Sequence, residues 1–269
     1  MIIVNGQKVE KDRFPDDTLR LLNLPQSQSL TTILWKYEKD EEFFFYAVAS
    51  HYREQSKLLY LNIPYIPHAR MDRVKSNEEC FMLNYLANLI NSINADMVFC
   101  YDPHSEACKM INNLVITDSV LVSNLEKIEQ VENYDYICFP DKGARDKYAA
   151  IFHNFGLFCK TVYCNKTRNW ETGRIESLEL ATNVDLTDKT VLIVDDIVSY
   201  GGTIVRAANC LKAAGAKRVV AYCSHTEDSV FKGKVFENID KLYTTETILR
   251  DDDNIQLYSS LGKLEVMKW

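Results

Sequence analysis

No apolar run in this 269-residue chain is long enough to cross a bilayer; the longest, such as residues 43–49, are strand-sized. The opening segment holds Lys8, Glu10, Lys11, Asp12, Arg13, Asp16 and Asp17, a charge density that leaves no signal-peptide core. A soluble, cytoplasmic chain is expected. None of the eight cysteines belongs to a CxxC pair, which argues against a zinc site or a disulfide framework. Cys159 and Cys164 are the closest two in sequence. Several of the others lie in apolar segments, where cysteine behaves as a small hydrophobe. Basic charge is also short: 31 Lys and Arg against 38 Asp and Glu give a net charge of −7. That excludes a general binder of nucleic acid or of anionic membranes, but not a local basic phosphate site. There is no internal repeat and no low-complexity tract.

What is present is a hydrophobic content of 46%, enough for proper cores, in a length that suits one large or two ordinary domains. Strand-like runs alternate with helix-like ones, the pattern of an α/β fold with mainly parallel sheets. Residues 43–50, 57–64 and 97–102 read as strands of a first sheet. Before the last of these, Met82, Leu86, Leu89, Ile90 and Ile93 make an apolar stripe at helical spacing. Ser76 and Glu79 precede it at capping-box spacing. A second set follows, with strands at 134–139, 160–163, 191–194 and 218–223. Helices are expected at 147–155 and 203–214, the latter closed by Gly215. The charged segment 123–133 marks the expected boundary between two domains, residues 1–127 and 128–269. Residues 166–188 are polar, weakly periodic and placed just before the strand at 191, as an active-site flap would be.

The most informative stretch is residues 190–203, TVLIVDDIVSYGGT. Residues 191–194 read as a central parallel strand, apolar on both faces. Asp195 and Asp196 sit at its carboxyl end, where open α/β sheets bind ligands. Ionised carboxylates only accept hydrogen bonds, which suits ribose hydroxyls or a hydrated Mg²⁺. Ser199, Tyr200, Gly201, Gly202 and Thr203 then make a short loop into an alanine-rich helix. Its two glycines let a phosphate approach backbone N–H groups at the positive end of that helix.

This stretch resembles the phosphoribosyl pyrophosphate (PRPP) binding motif of type I phosphoribosyltransferases and of ribose-phosphate pyrophosphokinases. Five further segments resemble the second family, in its order. They are FPDDT at 14–18, IPYIPHARMDR at 63–73, FCYDPHS at 99–105, FPDKGAR at 139–145 and NKTR at 165–168. The resemblance covers roughly residues 10–248. It implies two tandem phosphoribosyltransferase-like α/β domains and an enzyme that moves the diphosphoryl group of Mg-ATP to the anomeric hydroxyl of ribose 5-phosphate. Asp195 and Asp196 would hold the ribose hydroxyls, and Ser199, Tyr200, Gly201, Gly202 and Thr203 the 5-phosphate. Phe14, Asp16, Arg70, Asp72, Arg73 and His104 would bind ATP. Lys166 and Arg168 would close over the β-phosphorus, with His104 beside them in catalysis. His104 and Asp141 would position the Mg²⁺. A homo-oligomer, at least a dimer, is implied, with no nucleic-acid or membrane partner.

Four positions depart from the family pattern. Ser199 stands where aspartate is usual, Tyr200 replaces threonine, Met71 replaces the glutamine of ARQDR, and Thr18 replaces the glutamate of the adenine segment. The chain is also shorter than typical members, so a compact version without their ADP and phosphate regulation is expected. Two rivals are a phosphoribosyltransferase that consumes PRPP and a non-catalytic homologue that regulates a true synthetase. His51, His68, His153 and His225 read as structural.

Overall fold

The computed structural model describes all residues except 75, 158, 169–174 and 182–183, and leaves aside the side chains of 166–168 and 175–178. The chain divides into two compact units, Met1–Thr117 and Asp118–Trp269.

The first unit contains β1 (Ile2–Val4), β2 (Gln7–Val9), β3 (Asp12–Arg13), β4 (Leu19–Arg20), β5 (Leu30–Trp35), α1 (Glu42–Gln55), β6 (Leu58–Asn62), α2 (Met82–Ser92), β7 (Met97–Cys100) and β8 (Leu114–Ile116). Its six-stranded sheet has the order β2-β1-β5-β6-β7-β8. Strands β5 to β8 run parallel, and the β1–β2 hairpin is antiparallel on one edge.

Two expectations fail here. Residues 43–50 are helix α1, not a strand. Phe44, Phe45, Val48, Ala49 and Tyr52 are its buried residues, a spacing that keeps one helical face inward. Phe45 stacks on Trp35 of β5 at 4.1 Å between ring centroids. The capping-box pair does not start α2. The Glu79 N–H donates to the Ser76 carbonyl in a separate turn, and the helix begins at Met82 without a side-chain cap. Of its expected apolar stripe, Leu86, Ile90 and Ile93 are buried and Met82 and Leu89 half-buried, while Leu83 and Ala87 complete the buried face.

The second unit contains α3 (Asp118–Glu132), β9 (Tyr136–Phe139), α4 (Lys142–Phe155), β10 (Thr161–Arg168), β11 (Ile175–Leu180), β12 (Thr190–Val198), α5 (Gly202–Ala213), β13 (Arg218–Thr226), α6 (Val235–Asn238), β14 (Lys241–Thr245), α7 (Asp252–Ser260) and β15 (Leu264–Met267). The division thus falls ahead of the charged segment at 123–133. All of that segment but Asn133 lies within α3, whose Leu121, Val122, Leu125 and Ile128 are buried. Asn124 donates to the Tyr222 hydroxyl of β13 at 3.3 Å, and Glu132 takes two bonds from Arg218 at 2.7 and 3.0 Å. Its charges form one face of a packed helix, not a linker.

The second sheet has the order β11-β10-β9-β12-β13-β14-β15 and is parallel except at β10–β11. Val191, Leu192, Ile193 and Val194 at its centre have no exposure, as a strand covered on both faces requires. Helix α5 packs Ile204, Ala207, Ala208 and Leu211 into the same core. The polar region after 166 is not a structureless loop. β10 runs on to Arg168 and pairs antiparallel with β11 as a ribbon, whose tip lies outside the described residues.

Candidate active site

The sheet order itself creates a crevice. After β9 the chain passes through α4 to β10 on one side, and after β12 through α5 to β13 on the other. Neighbouring strands that leave in opposite directions open a gap at their carboxyl ends, the usual ligand position of an open α/β sheet. β12 pairs with β9 only as far as Ile193 but with β13 as far as Val198. Asp195 and Asp196 therefore lie inside the strand, where its β9 edge has become free of that neighbour. This places them slightly differently from the expected position beyond the strand end.

Asp196 is 8% exposed, and its N–H donates to Asp195 Oδ1 at 3.0 Å. Burial first, and then the adjacent Asp196 charge, pushes the Asp195 carboxyl well above the usual carboxylate range, with a smaller push from Asp141. Donors such as ring hydroxyls or a cation would favour the ionised pair. Asp141 is the N-cap of α4 and accepts from the Ala144 N–H at 3.0 Å through Oδ1. It has a structural role as well as a place at the crevice.

The loop after β12 has the backbone geometry of an anion cradle. Gly201 is the N-cap of α5 with φ +80° and no side-chain cap, so the first N–H groups of a 12-residue helix face outward. A Cβ at Gly201 would meet Val235 Cγ2 at 1.9 Å, so both backbone and space demand glycine. Tyr200 is 62% exposed. Arg206, one turn into α5, brings its guanidinium to 3.5 Å from where a Gly202 Cβ would sit. Sequence reading passed over Arg206, although 202 and 206 share a helical face at i,i+4 spacing. It also passed over Ser229, whose hydroxyl lies 2.9 Å from that of Ser199, and over Glu227 beyond it.

The first unit joins its two motif loops. The Ile63 N–H donates to the Phe99 carbonyl and the Tyr101 N–H to the Pro64 carbonyl, so the segments after β6 and β7 leave side by side. Asp72, with 8% of its side chain exposed, holds Arg73 at 2.8 Å. That bond, with smaller contributions from Ser105 and the His104 charge, keeps its carboxyl below the usual range. Asp72 thus braces Arg73, while Arg70, Arg73 and His104 stay exposed. Phe14 and Asp16 occupy the tip of the β3–β4 hairpin. Asp16 accepts from the Thr18 N–H and hydroxyl there, and Arg20 lies over the Phe14 ring. The structure gives Asp16 and Thr18 this local turn role.

Lys166 and Arg168 are on β10, opposite Leu178 and Ile175, with a bulge between Thr167 and Arg168. Their side chains lie outside the description. His68 pairs with Glu42 at 2.9 Å and buried His225 with Thr247 at 2.9 Å, both structural. The eight cysteines are free thiols, and Cys138 and Cys164 stand 3.9 Å apart on β9 and β10. Among the described residues no group of three or more His, Cys, Asp or Glu could hold a metal. Mg²⁺ carried by phosphates needs only one or two carboxylates, which Asp141 or the Asp195–Asp196 pair would supply. No helix among the described residues is long and apolar enough to cross a membrane.

Residues 156–253 match the phosphoribosyl transferase domain model. A ribose-phosphate pyrophosphokinase of Thermococcus kodakarensis is 28% identical, with 96% of this chain and 92% of the relative aligned. One from Pyrococcus abyssi is 27% identical over 95% and 90%. Phosphoribosylpyrophosphate synthetase of Mycobacterium smegmatis shares the fold at a TM-score of 0.71 and 18% identity, over 97% of this chain and 86% of that one. Crevice, paired carboxylates and phosphate loop define a type I phosphoribosyltransferase-like α/β protein. Within that class, the relatives that align with nearly the whole chain are ribose-phosphate pyrophosphokinases.

Proposed function

We propose that this chain is a ribose-phosphate diphosphokinase. It moves the diphosphoryl group of Mg-ATP to the anomeric hydroxyl of ribose 5-phosphate, releases AMP and supplies PRPP for nucleotide biosynthesis. The observation that carries the reading is the second motif cluster, in which Asp72 braces Arg73 beside His104 and Ser105. A phosphoribosyltransferase that consumes PRPP has no need of an ATP site in a separate unit. Relatives of this name aligned over nine-tenths of both chains support it.

Charge in such a transfer spreads over phosphoryl oxygens, so the protein mainly positions groups and stabilises charge. Arg70 and Arg73 hold the ATP phosphates by planar forks, and Phe14 and Asp16 reach the base. Lys166 and Arg168, on the ribbon, and His104 act on the transferring group. Asp195 and Asp196 orient the ribose hydroxyls, and the loop from Tyr200 to Thr203 anchors the 5-phosphate. Asp141 and His104 position the metal–ATP complex; Mg²⁺, when bound, neutralises phosphate charge. The enzyme works in the cytoplasm as a homo-oligomer, at least a dimer.

The test is a coupled assay with Mg-ATP and ribose 5-phosphate that follows AMP and PRPP together. Equal amounts of both are expected. If ribose 5-phosphate or ATP binds without product, the diphosphokinase reading fails in favour of a regulatory homologue. Base transfer from PRPP without need of ATP would favour a phosphoribosyltransferase.

A further inference from the structure

A chain of three side chains leads from the β13 side into the phosphate loop. Ser229 donates to Glu227 Oε2 at 3.3 Å, and the Ser229 and Ser199 hydroxyl oxygens are 2.9 Å apart. The Glu227 N–H donates to the Val198 carbonyl at 2.9 Å, which ties the ends of β12 and β13 and fixes this approach. Asp228 accepts the N–H groups of Arg250 and Asp251, at 2.8 and 3.0 Å, and anchors the same turn from behind.

Proton counting orients the chain. A serine hydroxyl has one proton and two lone pairs. Ser229 can give its proton to the ionised Glu227 or to Ser199. A bond to a charged acceptor is roughly twice as strong as a neutral one, so the carboxylate takes it. The 2.9 Å contact is then made by the Ser199 proton. Ser199 is left with lone pairs only. Lone pairs repel a phosphate dianion and accept from a hydroxyl.

We propose that Glu227 and Ser229 hold Ser199 as a hydrogen-bond acceptor for a ring hydroxyl of the sugar phosphate, so that Ser199 binds the sugar and not the 5-phosphate. Glu227 and Ser229 are positioning residues. The phosphate is left to the helix N–H groups, Thr203 and Arg206. The assignment rests on the sugar-phosphate reading of the site and replaces the phosphate-binding role expected of Ser199.

The test is a cycle of Ser199→Ala, Ser229→Ala and their double variant, read by calorimetric binding of ribose 5-phosphate. Each single variant is expected to weaken binding about 3- to 10-fold, the scale of one neutral hydrogen bond. The double variant should match Ser199→Ala alone, and Glu227→Ala should resemble Ser229→Ala. Inorganic phosphate, measured as a competitor, should keep its affinity within about twofold in all of them. Losses that multiply in the double variant would overturn the relay. An equal loss for inorganic phosphate would make Ser199 a phosphate ligand and also overturn it. Wild-type protein that binds no ribose 5-phosphate would overturn the functional reading and the relay with it, an outcome distinct from the other two.

Discussion

Alanine at Gly233 puts strain on the phosphate loop from a neighbouring segment. Gly233 has φ −95°, which any residue adopts, so the substitution carries no penalty of backbone conformation. Its Cβ would lie 2.1 Å from the Tyr200 carbonyl oxygen and 2.9 Å from the carbonyl carbon. Carbon and oxygen meet comfortably at about 3.3 Å, so one backbone must give way by about 1 Å. Neither obstacle is a side chain that can rotate aside. Tyr200 directly precedes the N-cap of α5, and the displacement passes to the N–H groups that would hold the phosphate. A 1 Å misplacement costs about 10²-fold in rate, and overpacking costs about 1–3 kcal/mol of stability. The expected result is a kcat/KM for ribose 5-phosphate about 10²-fold lower, with an unchanged KM for ATP. AMP release at varied ribose 5-phosphate measures the first, and urea unfolding the second. A variant with kcat/KM within about threefold of wild type would refute the argument that the loop position is set by this contact.

Lys166→Ala is expected to slow turnover about 10²–10³-fold, the scale for one preorganised electrostatic donor; unchanged turnover removes Lys166 from the mechanism. Asp195→Asn should stabilise the fold at pH 7.5 while abolishing ribose 5-phosphate binding. The raised Asp195 carboxyl binds protons more tightly folded than unfolded, so its contribution falls as pH rises above the unfolded value of 3.8. Asparagine keeps an acceptor for the Asp196 N–H, and melting curves at pH 3 and 7.5 should show the gain only at the higher pH. Glu132 has the opposite sign. Burial acts to raise its pKa, but bonds from Arg218 and from Tyr243 at 2.6 Å outweigh it and hold the carboxyl low. Its stabilisation is complete above about pH 4.5 and is lost as pH falls below that. Glu132→Gln should cost about 2 kcal/mol at pH 7, the scale of hydrogen bonds to a charged group, and flatten the acid limb of urea midpoint against pH.

The β12–α5 unit was legible because every local signal agreed: a run apolar on both faces, then carboxylates, then glycines, then a small-residue helix. The start of the first unit was not. An unbroken apolar run such as 43–49 fits a buried strand and a buried helix alike, and only the packing of Phe45 on Trp35 decides for the helix. The ribbon was missed because its many polar residues leave the period-2 signal of a strand weak. Glu227 and Ser229 carry no local signal, because their role arises from pairing of β12 with β13, which sets Val198 opposite Thr226. The exposed Arg70, Arg73 and His104 could be read by type and order, but the burial of Asp72 that braces Arg73 could not.

The two pairings of β10 and β12 also imply an order of folding. In the ribbon, Asn165 meets Glu179, 14 positions later in the chain. In the sheet, Val191 must find Tyr136, 55 positions earlier, and Val219, 28 positions later. Closing the longest of these loops costs about 1 kcal/mol more entropy than closing the ribbon. The strand that carries the paired carboxylates is therefore completed late, after the more local ribbon. A nascent chain that ends before residue 218 can already form the ribbon, yet it lacks the β13 neighbour that sets Asp195 and Asp196 in line.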